Sequence, residues 1–126
     1  MALLDDARIL VGELELEKLL ALPADRARYS ALARFPAVSR DVSALVPDTV
    51  MWGDIEHSVR DLGISEISSV RVFDMYKSKE MPEGFHSLAF RVTYRGKGRT
   101  LTDDEVAGSH ERVRALLEDR FGAQLR

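Results

Sequence analysis

The sequence of 126 residues contains no cysteine, and its apolar runs are too short to cross a lipid bilayer. The absence of cysteine excludes disulfide bonds and thiolate metal ligands, and it is consistent with a reducing cytosol. The N-terminal residues include early acids and no basic segment, which is not the pattern of a secretory signal. We therefore expect a cytoplasmic protein that has no membrane partner.

Aromatic residues make up only 7% of the chain, while 45% apolar and 31% charged residues are typical of a soluble globular domain with a modest core. The net charge of −3 argues against nucleic acid as a partner, but the charge is unevenly distributed. Residues 71–99 hold seven basic and three acidic side chains, a net +4, which leaves −7 for the rest. This basic segment either binds phosphate locally or forms solvated strand ends and loops.

The segment from Ser69 to Tyr94 has the pattern of two strands joined by a polar loop. Apolar residues alternate with small or polar residues in the second strand, which gives that strand one apolar face. In the first strand the apolar phase changes between Val72 and Phe73, which predicts a bulge, a strand end or burial on both sides. Residues 77–84 are charged and contain proline and glycine, so they form the loop. Because such a hairpin is not stable alone, other elements must cover one of its faces.

The remaining elements follow from alternation and capping signals. Residues 41–46 alternate as a strand, and apolar residues at helical spacing predict a helix from about Met51 to Leu62. A capping box at Thr102–Glu105 begins a second helix, Gly122 ends it, and residues 123–126 can add a short last strand. The resulting order β-α-β-β-α-β predicts an α+β, ferredoxin-like fold. In this fold a four-stranded antiparallel sheet carries both helices on one face and leaves the other face open.

One core is expected between the sheet and the two helices. Its predicted members are Val42, Val59, Leu88, Phe90, Val92, Val113 and Leu117.

Two segments differ in organisation, an N-terminal arm over residues 1–34 and the ferredoxin-like domain over residues 35–126. Within the arm, residues 8–11 can form a strand, and the spacing of residues 16–20 predicts a short helix that Pro23 ends. A lone strand needs a partner sheet, and the arm offers none. We therefore interpret the arm as the tail of a preceding domain plus a linker.

No complete active site is evident in the sequence. His57, His86 and His110 lack a spacing that would gather them around a metal, and His110 fits a packed position on an apolar helix face. The acidic run 103–105 is explained by the preference of helix N-termini for acids. Residues 96–99 are basic and glycine-rich but lack the pattern of a nucleotide-binding loop. The sequence therefore predicts neither catalytic nor metal-binding residues.

Asp74 and Tyr76 lie in the hairpin together with Arg91 and the basic loops. Aromatic rings stack on unpaired RNA bases, carboxylates accept hydrogen bonds from base N–H groups, and basic side chains bind phosphate. These side chains therefore suit recognition of single-stranded RNA. A purely structural interpretation is the simpler one on chemistry alone. In that interpretation Tyr76 ends the strand over the core, and Asp74 forms an ion pair with a neighbouring basic side chain.

Four blocks of the sequence resemble a known family, and this resemblance favours RNA binding over the structural interpretation. They are residues 35–42 (FPAVSRDV), 72–76 (VFDMY), 87–91 (SLAFR) and 99–106 (RTLTDDEV). Together they resemble the C-terminal ferredoxin-fold anticodon-binding domain of the bacterial-type phenylalanyl-tRNA synthetase beta subunit. Residues 11–20 also resemble the last strand and helix of the catalytic-like core that precedes this domain. Residues 50–53 depart from the family, which usually has smaller side chains at the start of the first helix.

The resemblance implies a chain that is not an enzyme alone but part of an ATP-dependent phenylalanine–tRNA ligase. ATP and magnesium are implied for the whole enzyme, whose catalytic site lies on the alpha subunit, and no cofactor is implied for this chain. The implied partners are the anticodon arm of a phenylalanine-specific tRNA, the rest of the beta subunit and the alpha subunit.

By analogy with the family, Asp74 and Tyr76 read or stack on anticodon bases. Phe90 lies near them but falls in the apolar phase, which also fits a core position. The predicted RNA-binding residues are Asp74, Tyr76, Lys77, Lys79, Ser87, Arg91, Arg95 and Lys97.

Two other classes of function fit the same topology. One is a regulatory module that binds a small ligand and resembles the ACT type, although the glycine-rich ligand turn after the first strand is missing. The other is a structural domain that docks on its parent subunit without contacting RNA.

Overall fold

The computed structural model describes residues 9–23, 29 and 32–126. The chain divides between residues 32 and 33 into two units. In the first unit, helix α1 spans Leu16–Ala21 and confirms the predicted short helix. Residues 9–11 are not in a strand, contrary to the prediction for residues 8–11, of which Arg8 lies outside the described residues. The boundary at residue 34 and the origin of the arm in a preceding domain stay predictions.

The second unit contains one antiparallel sheet and two helices. Its elements are β1 (Val38–Pro47), α2 (Trp52–Asp61), β2 (Ile67–Tyr76), β3 (Phe85–Tyr94), α3 (Asp103–Phe121) and β4 (Gln124–Leu125). The strand order is β2-β3-β1-β4, so β3 lies between β1 and β2. This order and the antiparallel pairing confirm the predicted ferredoxin-like fold.

Helix α3 begins and ends as its capping signals predict. The Thr102 hydroxyl accepts a hydrogen bond from the Glu105 N–H at 3.3 Å, and a Glu105 carboxylate oxygen accepts from the Thr102 N–H at 2.9 Å. At the other end Gly122 adopts a φ of 61°, the left-handed conformation that glycine tolerates best. Helix α2 is one residue shorter at each end than predicted.

The surroundings of Glu105 also make the stability of the domain depend on pH. Its ion pair with Arg99 and the Thr102 N–H lower the pKa of Glu105 to about 2 from an ordinary value of 4.5. The pair therefore stabilises the fold fully above about pH 4.5 and loses that effect as the pH falls toward 2. We expect Glu105→Gln to lower the urea midpoint at pH 7 and to leave it nearly unchanged at pH 2.

The control variant is Glu111→Gln, which removes one acid from the exposed part of the same helix. It should show a smaller difference between the two pH values. An equal loss at pH 7 and pH 2 for Glu105→Gln would show that its charge has no part in stability.

The core lies between the sheet and helices α2 and α3. All seven residues that were predicted to form it are buried. They pack with further buried residues, among them Ala44, Val46, Ile55, Ile64, Val70, Tyr94 and Val106. Phe90 is fully buried, and its ring centroid lies 5.3 Å from that of Trp52 at the start of α2. This position resolves the assignment of Phe90 in favour of the core.

His110 packs against the sheet, as predicted. Its Nδ1 lies 3.0 Å from the Tyr94 hydroxyl, and the two rings meet edge to face. Burial and the nearby Arg114 and Arg40 lower the pKa of His110, while burial raises the pKa of Tyr94 to about 12. Both groups are therefore neutral near pH 7, and the Tyr94 hydroxyl can donate to the imidazole.

No helix within the described ranges 9–23 and 32–126 has the length and apolar character needed to cross a membrane.

Candidate nucleic-acid interface

The sheet has a second face, opposite the helices, which we call the open face. Because side chains alternate along a strand, the residues between the core positions point to this face. Cross-strand pairing arranges them in rows, and we number the three that hold predicted RNA-binding residues. The rows are Tyr76–Ser87–Leu45, Asp74–Ala89–Ser43 and Arg71–Arg91–Asp41, each read from β2 through β3 to β1.

The β-bulge in β2 brings the predicted base-reading residues onto this face. The register with β3 shifts between Val72 and Asp74, so Phe73 is an extra residue without its own partner. Of the three explanations that the sequence left open for the phase change, a bulge, a strand end or burial on both sides, the structure shows the bulge. Beyond it, Asp74 lies opposite Ala89 and Tyr76 lies opposite Ser87. The same bulge leaves Met75 opposite the core residue Leu88, on the helix side of the sheet.

Asp74 and Tyr76 are exposed, whereas Ser87 is not. Tyr76 is 46% exposed, and Asp74 is also accessible from solvent. The small side chain of Ala89 lies beside Asp74 and leaves space above the middle of β3. Ser87 is 3% exposed, so a bound group reaches it only at the base of the site. The sheet thus presents an aromatic ring and a carboxylate two residues apart on one edge strand.

Arg91 lies in the next row, and its charge is already paired. Its Nε and one terminal nitrogen donate to the two carboxylate oxygens of Asp41 at 2.7 and 2.9 Å. This bidentate bond lowers the pKa of Asp41 and raises that of Arg91, so both remain ionised. The guanidinium carbon also lies 5.7 Å from the centroid of the Phe73 ring. Arg91 is therefore better suited to stacking through its fixed, flat guanidinium than to binding an anion through its charge.

The other predicted cations lie at opposite ends of the open face. Lys77 and Lys79 follow Tyr76 in the β2–β3 loop, and Lys77 forms an ion pair with Asp48. Its hydrogen bond lowers the pKa of Asp48. Arg95 and Lys97 follow the far end of β3, about 30 Å away at the usual rise of a strand. The structure therefore does not gather these four side chains into one patch.

Arg95 is only partly accessible. Its backbone N–H donates to the Glu66 carbonyl at 2.7 Å, and its Nε is buried without a hydrogen-bond partner among the described residues. Lys97 is exposed beside it in the loop that connects β3 to α3. Of the pair, Lys97 is the side chain that is free to reach a phosphate.

A cavity of about 520 Å³ lies next to Tyr76 on the helix side of β2. Its wall is mostly apolar, and Asp48, Lys77 and His86 supply the polar groups. The full lining consists of Asp48, Val50, Met51, Trp52, Gly53, Met75, Tyr76, Lys77 and His86. Trp52 thus forms part of a concave surface as well as of the core edge.

Three residues of the open face were missed by the sequence reasoning. Phe73 was considered only for the phase change and as part of the family block 72–76. Arg71 was counted as one of seven basic residues, and Asp41 was assigned to a strand. The phase change before Phe73 was the available signal, because a bulge moves its extra residue from one face to the other. No pattern in the sequence pairs Asp41 with Arg91, which are 50 residues apart.

Within the part of the chain that the structure describes, no three histidine, aspartate or glutamate side chains lie close enough together to hold an ion.

The fold and this face define a class, the ferredoxin-like α+β domains with a solvent-exposed sheet. Comparison with known proteins then gives the family. Residues 33–126 match the family described as Ferredoxin-fold anticodon binding domain, and the chain belongs to this family.

Several curated relatives carry the name phenylalanine–tRNA ligase beta subunit. The protein of Clostridium tetani is 40% identical over 121 residues, which is 96% of this chain and 15% of the relative. That of Geobacillus kaustophilus is 42% identical over 116 residues, 92% of this chain and 14% of the relative. A Bacillus cereus protein is 38% identical over 123 residues, 98% of this chain and 15% of the relative. The chain thus spans about a seventh of the length of these relatives.

Proposed function

We propose that this chain is an anticodon-binding module of a phenylalanine–tRNA ligase beta subunit, and that its open face binds the anticodon arm of the tRNA. The observation that carries the proposal is the placement of Tyr76 and Asp74. In a domain of an anticodon-binding family, an exposed ring and an exposed carboxylate lie two residues apart on the same edge strand. The chain supplies binding, and the catalytic chemistry belongs to the rest of the enzyme.

The partners and cofactors follow from this proposal. The whole ligase would join phenylalanine to its tRNA with ATP and magnesium, and the alpha subunit and the remainder of the beta subunit would complete it. The arm of residues 1–34 would be the end of the preceding domain. A cytoplasmic location fits this role, because the tRNA and the other substrates are found there.

Each part of the open face has a chemical role in this proposal. The Tyr76 ring stacks on an unpaired anticodon base, and the Asp74 carboxylate accepts hydrogen bonds from the N–H groups of a base. Ser87 lies at the base of the same site. Lys77, Lys79 and Lys97 contribute affinity through phosphate, and Arg95 supports the loop that carries Lys97.

Asp74→Asn tests the base-reading role. The variant keeps the shape but replaces an acceptor-only group with one that both donates and accepts. We expect it to reduce the preference for the matching anticodon stem-loop over loops with a substituted anticodon by roughly tenfold, within the range of a specific base contact. Affinity for the matching loop should fall less. Fluorescence anisotropy at low salt is suitable, because the chain carries a net charge of −3.

Asp104→Asn is the matched control, since it removes one exposed acid on the helix side of the sheet. It should leave the preference unchanged. If Asp74→Asn and Asp104→Asn discriminate equally well, Asp74 does not read a base.

A second candidate function rests on the cavity beside Trp52 and Tyr76. Its size and apolar wall suit a small ligand, as in a regulatory module of the same topology. Titration with free phenylalanine and with transcribed tRNA separates the two candidates. Saturable binding of phenylalanine without binding of tRNA would favour the regulatory module, and binding of neither would favour a docking domain.

A further inference from the structure

The third row of the open face and the adjacent bulge residue Phe73 have features of a binding surface that the anticodon-reading residues do not explain. Phe73 is an unpaired bulge residue and is 58% exposed. An apolar ring of this size is normally buried, and on a sheet that binds single-stranded RNA exposed rings serve as stacking platforms. Phe73 directly precedes Asp74 in β2, and its ring lies on the same side of the sheet as Arg91, whose guanidinium covers part of it.

Arg91 adds a second flat surface that is held in place. The two hydrogen bonds that Arg91 donates to the Asp41 carboxylate fix the plane of the guanidinium, which would otherwise rotate freely. The side chain of Arg91 nevertheless remains 55% exposed. Guanidinium planes stack on nucleobases as aromatic rings do. Phe73, Arg91 and Asp41 therefore form a preorganised layer with a solvent-exposed surface.

Arg71 completes the row with an unneutralised charge. It lies directly opposite Arg91 on the edge strand and is exposed. Asp41 neutralises Arg91, but among the described residues no carboxylate lies within ion-pair distance of Arg71. Arg71 is therefore the side chain of this row whose charge is available to a bound phosphate.

We propose that Phe73 and Arg91 form a second base-stacking subsite, which holds a nucleotide next to the one at Tyr76, and that Arg71 binds the phosphate of this nucleotide. The inference rests on the proposed function, because it assigns a further part of the same RNA strand. The ligand class is a single-stranded ribonucleotide segment longer than one base.

The spacing of the rows fits this assignment. Arg91 and Ser87 are four residues apart on β3, so the Arg71 row lies about 13 Å from the Tyr76 row at the usual strand rise. One base cannot contact both rows, whereas sheets of this kind stack two or three successive bases. The small Ala89 and the Asp74 carboxylate occupy the space between the two stacking surfaces. A strand that crosses the sheet from Tyr76 toward Arg91 would pass over both.

The experiment measures binding of an anticodon stem-loop RNA and of a single nucleoside 5′-monophosphate to the full chain. Phe73→Leu removes the ring but keeps an apolar side chain, and we expect it to weaken stem-loop binding about five- to tenfold. Binding of the monophosphate at Tyr76 should be unchanged. Arg71→Gln should weaken binding of all loops alike and lower the salt dependence by about one ion, whereas Arg71→Lys should retain most of the affinity.

Arg120→Gln, which removes a charge from the last turn of α3, is the control for net charge and should bind like the parent chain. If a thermal melt shows that Phe73→Leu perturbs folding, the comparison of Arg71→Gln with Arg71→Lys tests the second subsite instead, because both variants retain the Phe73 ring.

The outcomes separate this inference from the proposed function. If Tyr76→Ala weakens binding while Phe73→Leu and Arg71→Gln bind normally, the second subsite is wrong and the anticodon role stands. If Phe73→Leu and Arg71→Gln weaken binding while Tyr76→Ala does not, the second subsite stands and the role assigned to Tyr76 is wrong. If the parent chain binds no stem-loop RNA at low salt, both are wrong.

Discussion

Phe90→Ala should lower the free energy of unfolding by about 3–5 kcal/mol. The side chain is fully buried at the centre of β3, against the ring of Trp52, and the neighbouring strands and helices cannot close the space that its removal leaves. A loss of this size is a large fraction of the roughly 5–15 kcal/mol that stabilises a domain. The measurement is urea unfolding followed by circular dichroism, which does not depend on the Trp52 environment.

Phe73→Ala is the matched control, because it makes the same truncation on the opposite face of the sheet. Phe73 contacts Arg91 but is largely exposed, so its loss should cost about 1 kcal/mol or less. Similar costs for the two variants would contradict the assignment of Phe90 to the core and Phe73 to the open face.

The elements of the fold could be predicted because the sequence carries a local signal for each of them. The capping box at Thr102 and the glycine at Gly122 specify both ends of α3 through hydrogen bonds and a left-handed backbone within a few residues. The change of apolar phase before Phe73 likewise indicated an irregularity in the strand, with a bulge as one of three explanations. A pleated strand places alternate residues on opposite faces, so an extra residue must reverse the pattern.

The electrostatic pairing on the open face could not be predicted from the sequence. Asp41 meets Arg91, and Lys77 meets Asp48, only because of the register between β1 and β3 and the position of the β1–α2 turn. Such partners are distant in the sequence, and many acids and bases would satisfy the same pattern. The net charge of residues 71–99 could therefore be read from the sequence, but the positions and ion-pair partners of the individual basic side chains could not.

The burial of Ser87 could not be predicted from the sequence either. Alternation assigned it to the polar phase of β3, and the structure does place it on the open face. Its neighbours Tyr76 and Leu45 flank it in the same row, and its accessible surface is almost entirely lost. The face of a residue follows from the period of the strand, whereas its exposure depends on the size of neighbours in other strands.

Tyr76→Ala should weaken binding of an anticodon stem-loop RNA by about 1–3 kcal/mol, the contribution of one base stacked on an aromatic ring. The ring lies at the edge of the sheet and is 46% exposed, so the fold should be retained. Its loss removes the stacking surface but leaves Lys77 and Lys79 in place. The salt dependence of binding, which reports phosphate contacts, should therefore be similar in the variant and the parent chain.

Tyr76→Phe separates stacking from hydrogen bonding, because it keeps the ring and removes only the hydroxyl. Near-parental affinity in this variant would indicate that the face of the ring is what the RNA contacts.

The affinity of the parent chain, Tyr76→Phe and Tyr76→Ala for the same stem-loop RNA at low salt is the most direct test of the open face as an RNA-binding surface. Binding by the parent chain and Tyr76→Phe, together with a loss of about tenfold or more in Tyr76→Ala, is the expected result. Equal affinities for all three proteins would contradict it and would place the RNA, if it binds at all, elsewhere on the chain.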